Sequence, residues 1–311
     1  MYNSKKILVL ILLTVGLSSQ WMDINSEVPQ KPEVSLVTSD IENSTVSFEL
    51  SGFSLNSVMT INDLEYFTVK FPVSASIMDE GHPDLPKFSS SLIVLDNKSM
   101  SLEVLSSEFI DYKNINIAPS KGNLSRLINP EDVPYVFDDI YKSNSFYPEN
   151  IAELNEPYIL RDYRGQVVEF HPVQYNPVTK TLRVYTNIEI EVSSDNSLVV
   201  NPFIRTRELE KIDNEYKNIY DNHFLNFDNE NTRFEYLVDQ GSMLIISDGN
   251  FMDEMQPLID WKNKKGIPTE IVNVSSVGSS ASSIASFVAN YYNSNDLTFL
   301  LLVGDIAQIP S

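Results

Sequence analysis

Between about Val34 and Val200 apolar residues recur at every second position. Val46, Phe48 and Leu50 alternate with Ser47 and Glu49, and Phe67, Val69 and Phe71 alternate with Thr68 and Lys70. The longest run sets Leu182, Val184, Ile188, Ile190 and Val192 on even positions against Thr181, Arg183, Asn187, Glu189 and Glu191 on odd ones. Side chains alternate across a strand, so the pattern predicts antiparallel strands with one face in a core and the other in water. Asn176-Pro177-Val178-Thr179-Lys180 separates two such runs and predicts a hairpin. Several short strands punctuated by Pro, Gly and Asn predict an all-β sandwich or related barrel over residues 34–200. Asn129 to Asn150, rich in Pro, Tyr and Asp, reads as a long loop.

After residue 200 the period changes. Leu209, Ile212, Tyr216 and Ile219 fall at spacings of three and four, which predicts a short amphipathic helix over Glu208–Tyr220. Asp221 to Arg233, dominated by Asn and Asp, reads as an exposed linker, so residues 201–233 form a helix and linker. Met243–Ile246 is then a continuous apolar run, as expected of a strand buried on both faces. Met252, Met255, Leu258 and Ile259 recur at helical spacing up to Lys265-Gly266, with Pro257 confined to the first turn. Thr269–Val274 supplies a second strand, and the serines at 279–283 cap a helix whose inner face is Ile284, Phe287, Val288 and Tyr291. Phe299–Val303 is a third strand. The order βαβαβ with right-handed crossovers makes a parallel sheet. Three strands and two helices leave a sheet edge and a sheet face uncovered, so residues 234–311 read as the beginning of a larger α/β domain.

Composition narrows the function. The 311 residues are 42% hydrophobic, enough to fill about two cores. With 22 basic and 43 acidic residues the formal charge is -21, which repels nucleic-acid phosphates and anionic membranes. The chain has no cysteine, so disulfides, thiolate metal sites and a cysteine nucleophile within it are excluded. At the N-terminus Lys5 and Lys6 precede the apolar run Ile7–Leu13, with Gly16, Ser18 and Ser19 behind. That order predicts a Sec-type signal peptide over residues 1–19, too short to span a bilayer core that needs roughly twenty residues. The mature protein is expected outside the cytoplasm, secreted and without a membrane anchor.

Five segments carry a family likeness. Leu258 to Glu270 (LIDWKNKKGIPTE), followed by Leu300-Leu301-Leu302-Val303-Gly304-Asp305 and Ile309-Pro310-Ser311, closely resembles the start of the catalytic domain of the gingipain family of cysteine endopeptidases. Glu80-Gly81-His82-Pro83-Asp84-Leu85-Pro86 and His171 to Pro177 (HPVQYNP) resemble the prodomain of that family. The resemblance implies an Ig-like β-sandwich prodomain, then the first βαβαβ of a caspase-like α/β domain. It also implies secretion as a zymogen, a His/Cys dyad that cleaves protein or peptide substrates, and a prodomain contacting its own catalytic domain. In the family both dyad members follow the Val-Gly-Asp block, so no catalytic residue maps onto this chain, which is expected to be inactive by itself.

The remaining candidates are few. His82, His171 and His223 are the only histidines, and all precede the α/β segment. Asp248 and Asp305 stand at the carboxyl ends of predicted parallel strands, where ligands are held or the next turn is capped. For Asp305 the resemblance favours a structural calcium contact, and a hard oxygen-bound ion suits an acidic, cysteine-free extracellular protein. No organic cofactor is implied: the loop Ser247-Asp248-Gly249-Asn250 lacks the spaced glycines of a pyrophosphate site. Lys121 and Arg126 are candidates to fill a basic-preferring cleft from an inhibitory loop, the alternative being ordinary solvated charges. Maturation is expected between Arg233 and Phe234, in a polar stretch about ten residues before the first catalytic strand, where the resembled family also releases its prodomain after an arginine. A different reading is a secreted β-sandwich binding or adhesion protein with a vestigial α/β segment.

Overall fold

A computed structural model describes residues 19–40, 42–205, 211–227, 237–295 and 297–310. The fold has two compact units. One comprises Met1–Ile204 and Phe224–Asn229, the other Arg205–His223 and Glu230–Ser311.

The first unit is built of antiparallel strands. They begin with β1 (Ser19–Asp23), β2 (Glu33–Ser39), β3 (Asn43–Glu49), β4 (Gly52–Ile61), β5 (Leu64–Lys70), β6 (Ala75–Ser76) and β7 (Pro86–Ile93). They continue with β8 (Ser99–Lys113), β9 (Ala152–Leu154), β10 (Tyr158–Leu160), β11 (Tyr163–Phe170), β12 (Val173–Asn176) and β13 (Thr181–Asp195). Three sheets result: β1-β4-β5; β10-β11-β7-β6 with β9 on β11; and β12-β13-β3-β2 with β8 along β13. The period-two pattern is realised in the β3–β13 register, where Phe48 faces Ile188 and Val46 faces Ile190, all fully buried. Phe48 stacks on Phe170 at 5.2 Å between ring centres, joining two of the sheets in one core. The predicted hairpin is β12–β13. Its turn is set by Asn176, whose Oδ1 accepts from the amides of Val178 (3.1 Å) and Thr179 (3.0 Å).

The second unit begins with β14 (Lys211–Asp213), α1 (Asn214–His223) and β15 (Leu237–Asp239), with β14 and β15 parallel. Then follow β16 (Ser242–Ser247), α2 (Gln256–Lys264), β17 (Thr269–Asn273), α3 (Val274–Val277), α4 (Ala281–Asn295) and β18 (Leu297–Val303). β16 is central in an all-parallel sheet of order β17-β16-β18, the expected βαβαβ. Pro257 sits in the first turn of α2, and Gly266 ends that segment at φ +81°. Ser280 Oγ accepts from the Ser283 amide at the start of α4 (3.2 Å).

Three expectations need correction. The helix does not begin at Glu208, because Ile212 lies in β14 and α1 starts only at Asn214; pairing with β15 overrides the helical spacing there. The two sheet faces are both served. Ile259 and Ile267 pack with Met243 and Ile245 on one face, while Ile284 packs with Leu244 and Ile246 on the other. What stays open is the outer side of β18, where Leu300 (42% exposed) and Leu302 (44%) line an apolar groove of about 510 Å³ with Val288 and Tyr292. Nor is the whole Asn/Asp-rich stretch an exposed linker. Phe224 and Phe227 are buried, their rings 6.2 and 5.7 Å from that of Tyr163, and the Asn226 amide bonds both backbone groups of Ile93.

Candidate functional site

The loop that carries Lys121 and Arg126 is held at both stems by one tight turn. Gly81 adopts φ +80°, which frees its amide to donate to Ser120 O (3.0 Å) and its carbonyl to accept from the Asp138 amide (3.1 Å). Ser120 N donates to His82 O (2.7 Å), and Asp84 N donates to Ala118 O (2.9 Å). The Glu80–Pro86 motif is thus a clamp on the loop's base. Burial pushes the Asp84 carboxyl above its ordinary pKa, against a hydrogen bond from Ser76 and the charge of Lys70. The returning limb is pinned by Phe137, packed edge-on between Tyr66 (5.5 Å) and Tyr141 (4.7 Å), and by Tyr141 Oη donating to Ile117 O (3.0 Å).

Lys121 and Arg126 differ in what holds them. Lys121 Nζ donates to Pro130 O (2.7 Å) and lies 4.2 Å from the centre of the Tyr135 ring, so it braces the loop from within. Arg126 occupies the second position of a turn closed by the Ile128 amide on Ser125 O (2.9 Å). Its side chain is exposed and has no hydrogen bond or ion pair among the described residues. Leu127 beside it is 96% exposed. An arginine and a leucine stand out together at the tip of a loop whose base is rigid.

At the strand ends of the second unit both aspartates cap turns. Asp248 Oδ1 accepts from the Asn250 amide (2.9 Å), and its own amide donates to Val303 O (3.0 Å). Asp305 Oδ1 accepts from the Ile306 amide (2.7 Å), while Gln308 Oε1 accepts from Asp305 N (2.7 Å). Asp305 is exposed and offers one carboxylate, half of it committed to capping. Among the described residues Asp305 belongs to no group of three or more acidic or histidine ligands.

His82 and His171 are held by packing and polar contacts within the first unit. His82 packs edge-on against Tyr147 at 5.0 Å, with Asp79 and Asp138 each 4.0 Å from a ring nitrogen. Buried His171 faces Asn150 O (2.9 Å) with Nδ1 and Glu169 Oε1 (3.0 Å) with Nε2. Lys87 Nζ donates to both Glu169 oxygens at 2.9 Å. Burial works against the Glu169 carboxylate, but the bonds from Lys87 and His171 outweigh it and hold its pKa below the ordinary value. Glu153 approaches the same cluster from β9, and Lys87 supplies the positive charge there. His223 ends α1 and is exposed. Arg233 and Phe234 lie outside the described residues, as does residues 1–18 of the expected signal peptide.

A β-rich unit, with Arg126 at the tip of a loop clamped at its base, is followed in the chain by a parallel α/β sheet. Residues 25–234 match the family Propeptide_C25 and residues 236–311 match Peptidase family C25. The chain belongs to peptidase family C25, as its propeptide and the start of its peptidase domain. Gingipain R2 of Porphyromonas gingivalis is 37% identical over 292 residues, 92% of this chain and 39% of that protein. Gingipain R1 of Porphyromonas gingivalis is 35% identical over 318 residues, all of this chain and 31% of that protein. The chain therefore spans less than two-fifths of these relatives. A solved complex of the Porphyromonas gingivalis RgpB pro- and mature domains matches with 40% identity and a TM-score of 0.58, covering 64% of this chain and all of the matched one.

Proposed function

We propose that this chain is the N-terminal part of a secreted cysteine-endopeptidase zymogen whose β-rich unit assists folding and keeps its own catalytic domain latent. Membership of family C25 supports the chemistry: a thiolate attacks the peptide carbonyl, a histidine moves the proton and backbone N–H groups hold the oxyanion. This chain has no cysteine, so the nucleophile belongs to the remainder of the peptidase domain, and the chain alone is inert toward protein or peptide substrates. Antiparallel sheets around one core support an Ig-like sandwich, and parallel strands with helices on both faces support a caspase-like domain. Paired lysines before an apolar run support export by a Sec-type signal peptide. A calcium ion at Asp305 requires ligands from outside the described residues. The binding or adhesion reading has no feature in its favour beyond the β-rich unit itself.

The observation that carries the latency reading is Arg126 at the exposed tip of a loop with a clamped base. A rigidly presented guanidinium enters a basic-preferring cleft with little ordering cost, because the loop is already folded. Lys121, bound to Pro130 O, is spent inside the loop. The test uses the full-length precursor with Arg233→Ala to block the proposed cut, assayed on a fluorogenic peptide with a basic residue before the scissile bond. Arg126→Ala is expected to raise the leak activity of the uncut precursor about a hundredfold, the size of losing a buried charged anchor. Lys121→Ala should change it little. An Arg126→Ala precursor as silent as the parent would discard the assignment.

A further inference from the structure

We infer that residues 211–223, on the propeptide side of the family boundary, are a docking element for the peptidase unit that keeps the propeptide bound after the connecting bond is cut. The inference rests on the proposed cut at Arg233. The propeptide match ends at residue 234 and the peptidase match begins at 236. The contacts ignore that boundary. β14 pairs in parallel with β15, setting Lys211, Ile212 and Asp213 opposite Leu237, Val238 and Asp239. Ile212 is 2% exposed, and Tyr220 of α1 is fully buried. Added strands gain affinity from main-chain bonds and specificity from the side chains they bury.

A polar chain reinforces the pairing. Thr298 Oγ1, at the start of β18, donates to Asp213 Oδ2 and accepts from the Ser242 amide at the start of β16 (3.2 Å). Asp213 and Thr298 are 5% and 7% exposed, so each depends on the partners it has there. Gly241, at φ +70°, makes this possible, since a Cβ at that position would collide with the Thr298 side chain. One carboxylate from the propeptide side is thereby linked to the first residues of two peptidase strands. At its other end the element continues into Phe224–Phe227, which is fixed to the first unit through Asn226 and Ile93. None of these interactions includes the bond between Arg233 and Phe234. Hydrolysis leaves them in place, and release of the propeptide requires β14 and α1 to be displaced.

The test uses the full-length precursor after processing, with intact masses of both fragments locating the cut. For the parent, the propeptide fragment should co-elute with the peptidase in gel filtration without denaturant. Asp213→Ala and Thr298→Val, each removing one half of a buried hydrogen bond, should speed dissociation roughly tenfold or more. Asp213→Asn, which keeps an oxygen for the Thr298 hydroxyl, should stay close to the parent. Hydrogen exchange at the 237–239 amides of the uncut precursor is the second readout and should rise in the same two variants. Unchanged dissociation together with unchanged exchange overturns the inference. Masses that place the cut at Arg205 or Arg207 leave β14 and α1 on the peptidase fragment and overturn the inference together with the Arg233 reading, whatever the exchange at 237–239.

Discussion

Arg164 is fully buried and directs its guanidinium at four backbone carbonyls: Leu95 (2.6 Å), Lys98 (2.8 Å), Val200 (2.8 Å) and Asn201 (3.0 Å). Burial lowers its pKa, with the charge of Asp96 opposing. The fork geometry lets one side chain tie the turn after β7 to the segment that leaves β13. Glu169 is the other buried charge with a readable consequence. Its folded pKa is lowered, so it contributes stability above the unfolded value of about 4.3, lost as pH falls through the folded value. Glu169→Gln in the precursor is therefore expected to cost about 1–3 kcal/mol at pH 7 and to flatten the acid side of the stability profile. Urea unfolding at pH 7 and pH 3.5, followed by far-UV circular dichroism, reads the difference; parallel acid slopes with and without Glu169 would remove this role. No local pattern could have revealed either site. Lys87, Glu169 and His171 meet only because β7 and β11 pair, and the partners of Arg164 are main-chain oxygens that sequence does not mark.

The elements best anticipated from sequence are those whose burial is decided by period alone. β13 and β16 are examples, one half-buried with alternating positions and the other an unbroken apolar run, Met243–Ile246, between two serines. Where a segment's partner is distant in the chain, the period misleads. Ile212 fits a helix by spacing and sits in a strand because residues 237–239 supply a ladder for it. Phe224–Phe227 hides in an Asn/Asp-rich stretch yet completes the outer edge of β7, where Asn226 Oδ1 accepts from Ile93 N (2.8 Å) and its Nδ2 donates to Ile93 O (3.0 Å). Asn226→Ala removes both bonds at once. The Ile93 amide should then exchange about tenfold faster, as expected when roughly 1.4 kcal/mol of local protection is lost. An unchanged Ile93 rate would mean that the aromatic contacts of Phe224 and Phe227 alone hold this segment.

At the scale of the molecule, the chain passes from the first unit to the second at Arg205, back at Phe224, and forward again at Glu230. The expected processing site after Arg233 falls in the sequence between buried Phe227 and β15. N-terminal sequencing of the processed, secreted protein is expected to begin at Phe234. A start at Thr206 or Glu208 would instead leave β14 and α1 covalently on the enzyme. The to-and-fro path also fixes an order of events during synthesis. Because the N-terminal residues emerge first, the β7 edge stays open until Asn226 has been made, whereas β14 must wait for residues 237–239 and then for Thr298. The part of the propeptide that grips the enzyme is thus made before anything it can grip, and it spends that interval with a buried-type isoleucine, tyrosine and aspartate still in water.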